Sequence, residues 1–334
     1  MKQKKITAID VARLAGVSQA SVSRAFSKNS SISLKKKKLI LEAAEQLGYQ
    51  PNAIARGLIT NQSGIIGIVM RNIQNPFYPE VLDKFYAKLA EKGYKVMFIN
   101  SHNNEISDDE VSHLIEYSVE GAIITDTLLT SSTVQKFTRN GIKVVLFNRY
   151  DNDSISNAVV CDNVTAGKRI GDYLLEKGHK NPAFISGPMN TSTTVDRLKG
   201  FEEALAVHGI NFFLTENGFY SYDGGFTAAK RLLERDHTID AIFCANDVSA
   251  FGAMDYLKTQ NIRIPEDISV VGFDNVAMSD WVSYHLTTWH QPVDKMVKDA
   301  IHLLLEQING NENAPIIHKV EGHLAERGSV MDRR

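Results

Sequence analysis

The chain has 334 residues, of which 43% are hydrophobic and 23% are charged, as is typical of a soluble globular protein with large cores and several domains. No run of about 18 apolar residues occurs, so no membrane-spanning helix is expected. The basic N-terminal stretch also lacks the apolar segment of a signal peptide. Both cysteines, Cys161 and Cys244, lie in apolar, strand-like runs. We therefore expect a cytoplasmic protein with buried free thiols.

The formal net charge of −2 is divided unequally along the chain. Residues 1–62 hold eleven basic and three acidic side chains, a formal charge of +8, whereas the remainder carries −10. A basic head on an acidic body points to a nucleic-acid-binding segment. A solvated basic tail is the alternative interpretation.

Residues 1–49 predict three short helices. Thr7, Ser18 and Ser33 are suitable N-caps, while Gly16 and Gly48 end the first and third helices. The apolar positions expected to face inward are Val11, Ala12, Leu14, Ala15, Val22, Ala25, Leu39, Ile40, Ala43, Ala44 and Leu47. Two helices separated by such a short turn, followed by a third, predict a helix-turn-helix module.

The outward face of the second helix has the side chains that reading a DNA major groove requires. Arg24 can pair with a guanine edge, Gln19 with adenine, and Ala20 can touch a thymine methyl group. The DNA contacts predicted in the head are Thr7, Ser18, Gln19, Ala20, Ser21, Ser23 and Arg24. The alternative is an ordinary three-helix module whose polar face is merely solvated.

Residues 50–62 are predicted to form a hinge whose folding depends on DNA. Pro51 ends the head, and Asn52 could cap about two helical turns. A helix this short is marginal in water, and Gly57 weakens it further, so we expect the segment to be largely unfolded away from DNA. A plain linker is the alternative.

From Gly64 onward, short apolar strands alternate with amphipathic helices, which predicts doubly wound parallel sheets. The predicted strands are GIIGIVM, KVMFIN, GAIIT, KVVLF, AFIS, DAIFCA and ISVVGF. The segment 63–334 is long for one sheet, so we expect two lobes with a ligand cleft at the carboxyl ends of the strands.

Polar and aromatic residues at those strand ends are candidate ligand contacts. Carboxylate, amide and guanidinium groups can fix sugar hydroxyls, while an aromatic face covers the C–H groups of the ring. The predicted effector contacts are Asn75, Phe77, Tyr78, Thr125, Asn148, Arg149, Arg197, Tyr220, Asn246 and Asp274. For Phe77 and Tyr78, packing at the edge of a lobe is the alternative, and Arg149 could form a structural ion pair. Asp162 and Asp247 are candidates for helix capping or indirect support.

The head contains DVARLAGVS and LGYQPNAIARGL, and the core contains NPFYPE, R-x-x-GF, AND and ISVVGFDN. With these motifs the whole chain resembles the lactose/galactose repressor (LacI/GalR) family. The resemblance implies an N-terminal all-α helix-turn-helix domain and an α/β core similar to periplasmic binding proteins, built from two doubly wound parallel-sheet lobes. It places lobe 1 at about 63–161 and 292–322, and lobe 2 at about 162–291 and 323–334.

The resemblance also assigns roles to individual residues. Gln19 and Ala20 match the positions that choose the operator sequence, and Arg24 matches a base-contacting arginine. Asn52, Ala55 and Leu58 fall in a hinge helix that enters the minor groove, where the leucine wedges between base pairs. One departure from the family pattern is the run Lys35 to Lys38, which we interpret as extra attraction for phosphates.

The function that the resemblance implies is a homodimeric transcriptional repressor. It would bind a pseudo-palindromic operator, being nucleoid-associated when bound, under the allosteric control of a small-molecule effector. A sugar is expected, and a purine is the alternative. Two rival functions are a solute-binding protein, which would leave the head without a purpose, and an activator or global regulator of the same fold. Familiar catalytic motifs are missing and the ten histidines show no paired metal spacing, so we expect neither an enzyme nor a cofactor or metal.

Overall fold

The computed structural model describes residues 6–26, 32–50, 63–71, 73–101, 106–125, 131–151, 156–311 and 314–334. The chain divides into two compact units, Met1–Gly64 and Ile65–Arg334, which are described separately. The predicted hinge contacts Asn52, Ala55 and Leu58 lie outside the described residues.

The first unit contains the three predicted helices, α1 (Ala8–Ala15), α2 (Gln19–Ala25) and α3 (Leu34–Leu47). Thr7, Ser18 and Ser33 occupy the N-cap positions and Gly16 and Gly48 the C-cap positions, but Ser33 makes no capping hydrogen bond with its side chain. Ser18 Oγ accepts a hydrogen bond from the backbone nitrogen of Ser21 at 3.2 Å, and Gly48 closes α3 in the left-handed region with φ 62°. The sequence therefore predicted the helix boundaries through local capping chemistry.

Val11, Val22 and Ile40 are fully buried between the three helices. The prediction that Leu14 and Leu39 also face inward is wrong, because they are 51% and 46% exposed. Each lies at the edge of its helix's apolar stripe, and one residue turns a helix by about 100°. Apolar spacing alone places such edge residues ambiguously.

The second unit contains two lobes, each built on a six-stranded sheet. The strands of the first lobe are β1 (Ile65–Arg71), β2 (Lys95–Ser101), β3 (Gly121–Thr125), β4 (Lys143–Phe147), β5 (Asn157–Cys161) and β11 (Ile317–Val320). They are all parallel, in the order β11-β5-β4-β3-β1-β2. Its helices are α4 (Phe77–Glu91), α5 (Asp108–Glu116), α6 (Ser131–Arg139) and α11 (Val293–Ile308).

The strands of the second lobe are β6 (Pro182–Ser186), β7 (Thr215–Asn217), β8 (Ala241–Cys244), β9 (Ser269–Asp274), β10 (Thr287–His290) and β12 (His323–Ala325). Their order is β12-β10-β9-β8-β6-β7, and only β12 is antiparallel to its neighbour. The helices are α7 (Asn163–Glu176), α8 (Ser192–Val207), α9 (Tyr222–Arg235) and α10 (Asp247–Thr259), with a 3-10 turn at Ala277–Asp280. The predicted α/β core of two parallel-sheet lobes is confirmed.

Close glycine contacts hold α7 against α8. A Cβ added at Gly167 would lie 2.1 Å from the carbonyl oxygen of Arg197, and one at Gly200 would lie 2.0 Å from that of Val164. Only glycine permits these backbones to approach so closely. The contact fixes the N-terminal half of α8, from which Arg197 projects. No described helix is both long enough and apolar enough to cross a membrane.

Candidate functional site

A cavity lies where the carboxyl ends of the strands of both lobes meet. It is lined by Asn75, Phe77, Tyr78, Asn148, Arg149, Thr193, Arg197, Tyr220, Asn246 and Asp274. Nine of these ten residues belong to the set predicted from the sequence, since strand carboxyl ends converge in an open α/β fold.

Arg197 forms the floor of the cavity on the side of the second lobe. Its Nε donates to Asn163 Oδ1 at 2.8 Å, and Nη1 donates to the carbonyl oxygen of Ala245 at 2.5 Å. The guanidinium carbon lies 3.5 Å from the centroid of the Phe273 ring. These contacts hold a charge that is only 2% exposed, and they pre-orient the guanidinium for a ligand.

Asp274 supplies the carboxylate of the cavity at the end of β9. Its Oδ1 accepts a hydrogen bond from Gln291 Nε2 at 2.7 Å, and its backbone has φ 118°. Asn148 and Tyr220, also in the lining, have positive φ values of 67° and 55°. Non-glycine residues in such conformations are uncommon and are concentrated at functional sites.

Asp247 lies behind Asp274 and does not line the cavity. Its carboxylate accepts hydrogen bonds from Val276 N at 2.9 Å and from Thr288 Oγ1 at 2.5 Å. Complete burial, reinforced by the nearby charge of Asp274, raises the pKa of Asp247 well above its usual value. Asp247 therefore holds a proton more tightly than an exposed aspartate does.

Tyr220 is the aromatic wall of the second lobe. Its hydroxyl lies 3.0 Å from Thr193 Oγ1 and 2.6 Å from Thr194 Oγ1. The ring lies directly over Gly187, where an added Cβ would be 2.2 Å from the ring. Asn246 caps α10 and also contacts the carbonyl oxygen of Tyr220 at 3.4 Å. These contacts hold the hydroxyl end of the ring and the backbone of Tyr220.

The first lobe contributes the opposite wall of the cavity. Asn75 Oδ1 accepts from the backbone nitrogen of Phe77 at 3.1 Å and so forms the turn that enters α4. The Phe77 and Tyr78 rings pack edge to face with centroids 5.3 Å apart. Asn148 Nδ2 lies 3.5 Å from the Tyr78 hydroxyl, while Asn148 Oδ1 is buried and has no hydrogen-bond partner among the described residues.

Arg149 and Tyr150 bring the end of β4 to the second lobe. The backbone nitrogen of Tyr150 donates to Ser192 Oγ at 3.1 Å, and its hydroxyl donates to the carboxylate of Asp196. Burial is the main reason that the pKa of Tyr150 rises to about 12, and the hydrogen bond to Asp196 adds to it. These bonds connect the lobes directly beside the cavity.

The cavity volume is about 20 Å³, enough for roughly one water-sized sphere. Ligand pockets for small molecules usually enclose about 300 to 1,000 Å³. A sugar-sized ligand therefore requires the lobes to part or the lining side chains to move.

Two candidates, Thr125 and Asp162, have other positions. Thr125 is buried at the end of β3 and is not among the lining residues. Asp162 caps α7, accepting from Thr165 N at 3.3 Å. The sequence prediction missed Thr193, which lies four residues before Arg197 and hence on the same face of α8. That spacing was the available signal.

The head presents a second candidate site on α2. Gln19, Ala20 and Arg24 are exposed, whereas Val22 and Ala25 are buried. Arg24 Nε donates to the carbonyl oxygen of Ala20 at 3.3 Å. The remaining predicted contacts of the head are exposed or partly exposed, namely Thr7, Ser18, Ser21 and Ser23.

Comparison with known proteins gives two family matches. Residues 7–52 match the model "Bacterial regulatory proteins, lacI family", and residues 63–321 match "Periplasmic binding proteins and sugar binding domain of LacI family". The chain is 31% identical to the HTH-type transcriptional repressor PurR of Vibrio atlanticus, over 96% of this chain and 97% of that protein. It is also 31% identical to catabolite control protein A of Priestia megaterium, over 91% and 93% of the two chains.

Solved structures show the same architecture. A lac repressor dimer bound to operator and an anti-inducer superposes with a TM-score of 0.87, at 24% identity, over 98% of this chain and all of that one. A complex of the transcriptional regulator CelR with cellobiose has a TM-score of 0.73 at 28% identity, over 97% of this chain and all of that one. Together with the helix-turn-helix head and the two-lobed core, these matches show that the chain belongs to the lacI family of bacterial regulatory proteins.

Proposed function

We propose that this protein represses transcription by binding operator DNA through its head, and that a sugar or sugar derivative bound between the lobes controls its affinity for the operator. The observation that carries the proposal is the convergence of polar and aromatic groups from both lobes on one cavity, in a chain that also has a basic helix-turn-helix head. The head recognises DNA and the cavity senses the effector.

In the head, α2 is the recognition helix. The exposed side chains of Gln19, Ala20 and Arg24 read base edges in the major groove. The exposed lysines at the start of α3 and the net charge of residues 1–62 attract the phosphate backbone. Asn52, Ala55 and Leu58 extend the contact into the minor groove.

In the core, the cavity has the groups that a sugar needs. Arg197, Asp274, Asn148 and Asn246 offer donors and acceptors for hydroxyl groups, and Tyr220 offers an aromatic face. The cellobiose complex of CelR supports a sugar as ligand, since that regulator shares the fold and 28% of its sequence.

Control follows from the contacts between the lobes. The lining side chains nearly fill the cavity, so an effector must change the separation of the lobes or the side chains between them. A ligand can shift operator affinity only by as much as its own affinity differs between two arrangements of the lobes. A coupling of about 1–3 kcal/mol would change operator affinity roughly 5- to 150-fold.

The functional unit is a homodimer that binds a pseudo-palindromic operator. An exposed apolar patch on the second lobe supports it: Tyr222, Trp281 and Val282 are 41%, 56% and 99% exposed. Tyr222 and Tyr284 both donate to Asp255 Oδ2, which brings the two segments together. A second copy of the chain would cover such a patch.

The test begins with selection of the operator from random duplex DNA by the full-length protein. Operator titrations then follow, with and without a panel of neutral sugars, anionic sugars and purine bases. We expect a palindromic sequence whose affinity changes at least fivefold with one sugar. If no duplex is selected, the DNA-binding function fails; if only a purine acts, the sugar assignment fails; if no compound acts, effector control fails.

A further inference from the structure

His290 is joined to the turn that carries Asp274, the carboxylate of the cavity. Asp274 ends β9 and His290 ends β10, and the two residues are paired in the register of these parallel strands. Gln291 Nε2 donates to Asp274 Oδ1 at 2.7 Å. Asn275, the residue after Asp274, has its Nδ2 3.0 Å from His290 Nδ1. Two adjacent side-chain bonds therefore hold the end of β9 to the end of β10.

The hydrogen bonds of Asn275 determine which ring nitrogen of His290 carries the proton. Arg327 Nη2 donates to Asn275 Oδ1 at 2.7 Å, and a guanidinium group can only donate. The amide oxygen therefore faces Arg327, and the amide NH₂ group faces His290. Because an amide NH₂ group also only donates, His290 Nδ1 is the acceptor and carries no proton. The ring is neutral in this arrangement, with its proton on Nε2.

The turn needs this support because two successive residues in it have unfavourable backbone conformations. Asp274 has φ 118° and Asn275 has φ 58°. Non-glycine residues in such conformations persist only when the surrounding structure holds them there. The bond from Asn275 to His290 is one of the contacts that do so. Its loss would let the turn relax, and the Asp274 carboxylate would move with it.

Charged groups from three elements surround His290. His323 of β12 is its partner across the strand pair, with ring centroids 4.8 Å apart. Glu80 and Lys84 act on it from α4, and Asp294 acts from α11. Lys84 Nζ lies 2.9 Å from Asp294 Oδ2 and 3.6 Å from Glu80 Oε1, so it compensates part of their negative charge. Burial, followed by the effect of His323, lowers the pKa of His290 below its ordinary value of 6.5.

We propose that His290 makes effector binding sensitive to pH: the neutral ring holds Asp274 in the position that binds the effector, and mild acid releases it. Protonation of Nδ1 removes the acceptor of Asn275 and sets two donors against each other. This inference rests on the effector role of the cavity proposed above and adds a means of regulating it. Because folding favours the neutral ring, the support is complete above about pH 6.5 and is lost as the pH falls through the lowered pKa.

Nuclear magnetic resonance of the histidine ring nitrogens in the full-length protein tests the protonation state. The signals of His290 are assigned as those missing from His290→Asn. At pH 7.5 we expect Nδ1 to be unprotonated and Nε2 to be protonated, with a titration midpoint below 6.5. A proton on Nδ1 at pH 7.5, or a midpoint at or above 6.5, overturns the proposal.

Calorimetric titration at pH 7.5 and pH 5.0 tests the effect on the cavity. The probes are glucose, galactose, ribose and cellobiose, together with any further sugar that proves active in the operator titrations. For a sugar that binds, we expect an affinity about threefold to tenfold weaker at pH 5.0, as for the loss of one hydrogen bond.

Variants separate His290 from other groups that titrate near the cavity, such as Asp247 and Asp196. In His290→Asn the side-chain oxygen can accept from Asn275 at every pH, so the affinity should change less than twofold between the two pH values. In His290→Leu no acceptor remains, so the affinity at pH 7.5 should already be as weak as that of the wild type at pH 5.0. His302→Asn, at an exposed histidine of α11, is the matched control and should keep the wild-type pH dependence. Thermal unfolding of each variant shows whether it is folded.

The outcomes distinguish this inference from the proposed function. If a sugar binds equally well at both pH values, or if folded His290→Asn keeps the full pH dependence, the role of His290 is overturned and the sugar-controlled repressor stands. If no sugar binds the wild type at either pH, the proposed sugar effector fails and this inference fails with it.

Discussion

The hydroxyl of Tyr150, in the first lobe, lies 3.1 and 2.9 Å from the two carboxylate oxygens of Asp196, in the second lobe. This contact joins the two lobes beside the cavity, since Tyr150 directly follows Arg149 in the sequence and Asp196 directly precedes Arg197. Any movement that opens the cavity must therefore break or stretch it.

We expect Tyr150→Phe to weaken effector binding, because the closed arrangement loses its hydrogen bond to a carboxylate. Such a bond contributes about 1.5–3 kcal/mol, which corresponds to roughly tenfold or more in affinity if it forms only on closure. Calorimetry with the sugar that proves active in the operator titrations measures this loss. Tyr117→Phe, at a residue that is 48% exposed, is the control. Unchanged affinity in Tyr150→Phe would show that the bond does not favour closure.

Ionisation of Asp196 should make the stability of the protein fall as the pH rises. Burial raises its pKa above the ordinary value of 3.8, against the opposing effect of the Tyr150 hydrogen bond. The protonated form is thus favoured by folding, and its contribution to stability is lost as the pH rises through the raised pKa. The side chain in Asp196→Asn stays neutral at every pH. We therefore expect the melting temperature of this variant, minus that of the wild type, to increase as the pH is raised from 4 to 7. A constant difference in melting temperature across that range would contradict this.

Gly187→Ala should impair binding more than folding. The added methyl group would lie 2.2 Å from the Tyr220 ring, and a side chain can move aside at a cost of about 1–3 kcal/mol. Displacing that ring removes the aromatic wall, so we expect effector affinity to fall about tenfold or more. Titration and thermal unfolding together measure the two effects. Wild-type affinity would mean that the ring does not contact the effector.

Gly200→Ala is expected to impair folding more than effector binding. Its Cβ would meet the backbone oxygen of Val164 at 2.0 Å, and neither helix can give way without separating α7 from α8. We expect a loss of several kcal/mol in the free energy of unfolding, or failure to fold. Chemical denaturation measures this loss, and a change below about 1 kcal/mol would show that the helices can adjust.

The lysines of the head should set the salt dependence of operator binding. Each phosphate contact contributes about −0.9 to the slope of log affinity against log salt. If Lys35 and Lys36 both contact phosphates, changing both to alanine makes the slope shallower by about 1.8. Lys92→Ala, at an exposed lysine of the core, is the control. An unaltered slope in the double variant would assign these lysines no phosphate contacts.

Arg24→Ala should relax the choice of operator sequence. Loss of a bidentate contact to guanine costs about 1–3 kcal/mol at one base pair and little at the others. Comparing the affinities of single-base operator variants for both proteins measures this. A uniform loss at every position would indicate that Arg24 contacts phosphate instead of a base.

The sequence alone was sufficient for the head and for the architecture of the core. Helix ends in the head follow local chemistry, as at Ser18 and Gly48, and the strands of the core follow short apolar runs. Nine lining residues were also predicted, in part because parallel strands deliver their carboxyl ends to one edge of the sheet and in part because the family resemblance implied Arg197, Tyr220 and Asp274.

Tertiary structure decided which strand-end residues reach the cavity and what holds them there. Thr125 and Thr193 show the difference: the first is buried at its strand end and does not line the cavity, while the second lines the cavity from the helix face that also carries Arg197. The Tyr150–Asp196 contact joins residues that are 46 positions apart, and no local pattern encodes it. Local periodicity in the sequence determines the helices and strands, whereas long-range packing determines which charged side chains share a buried space.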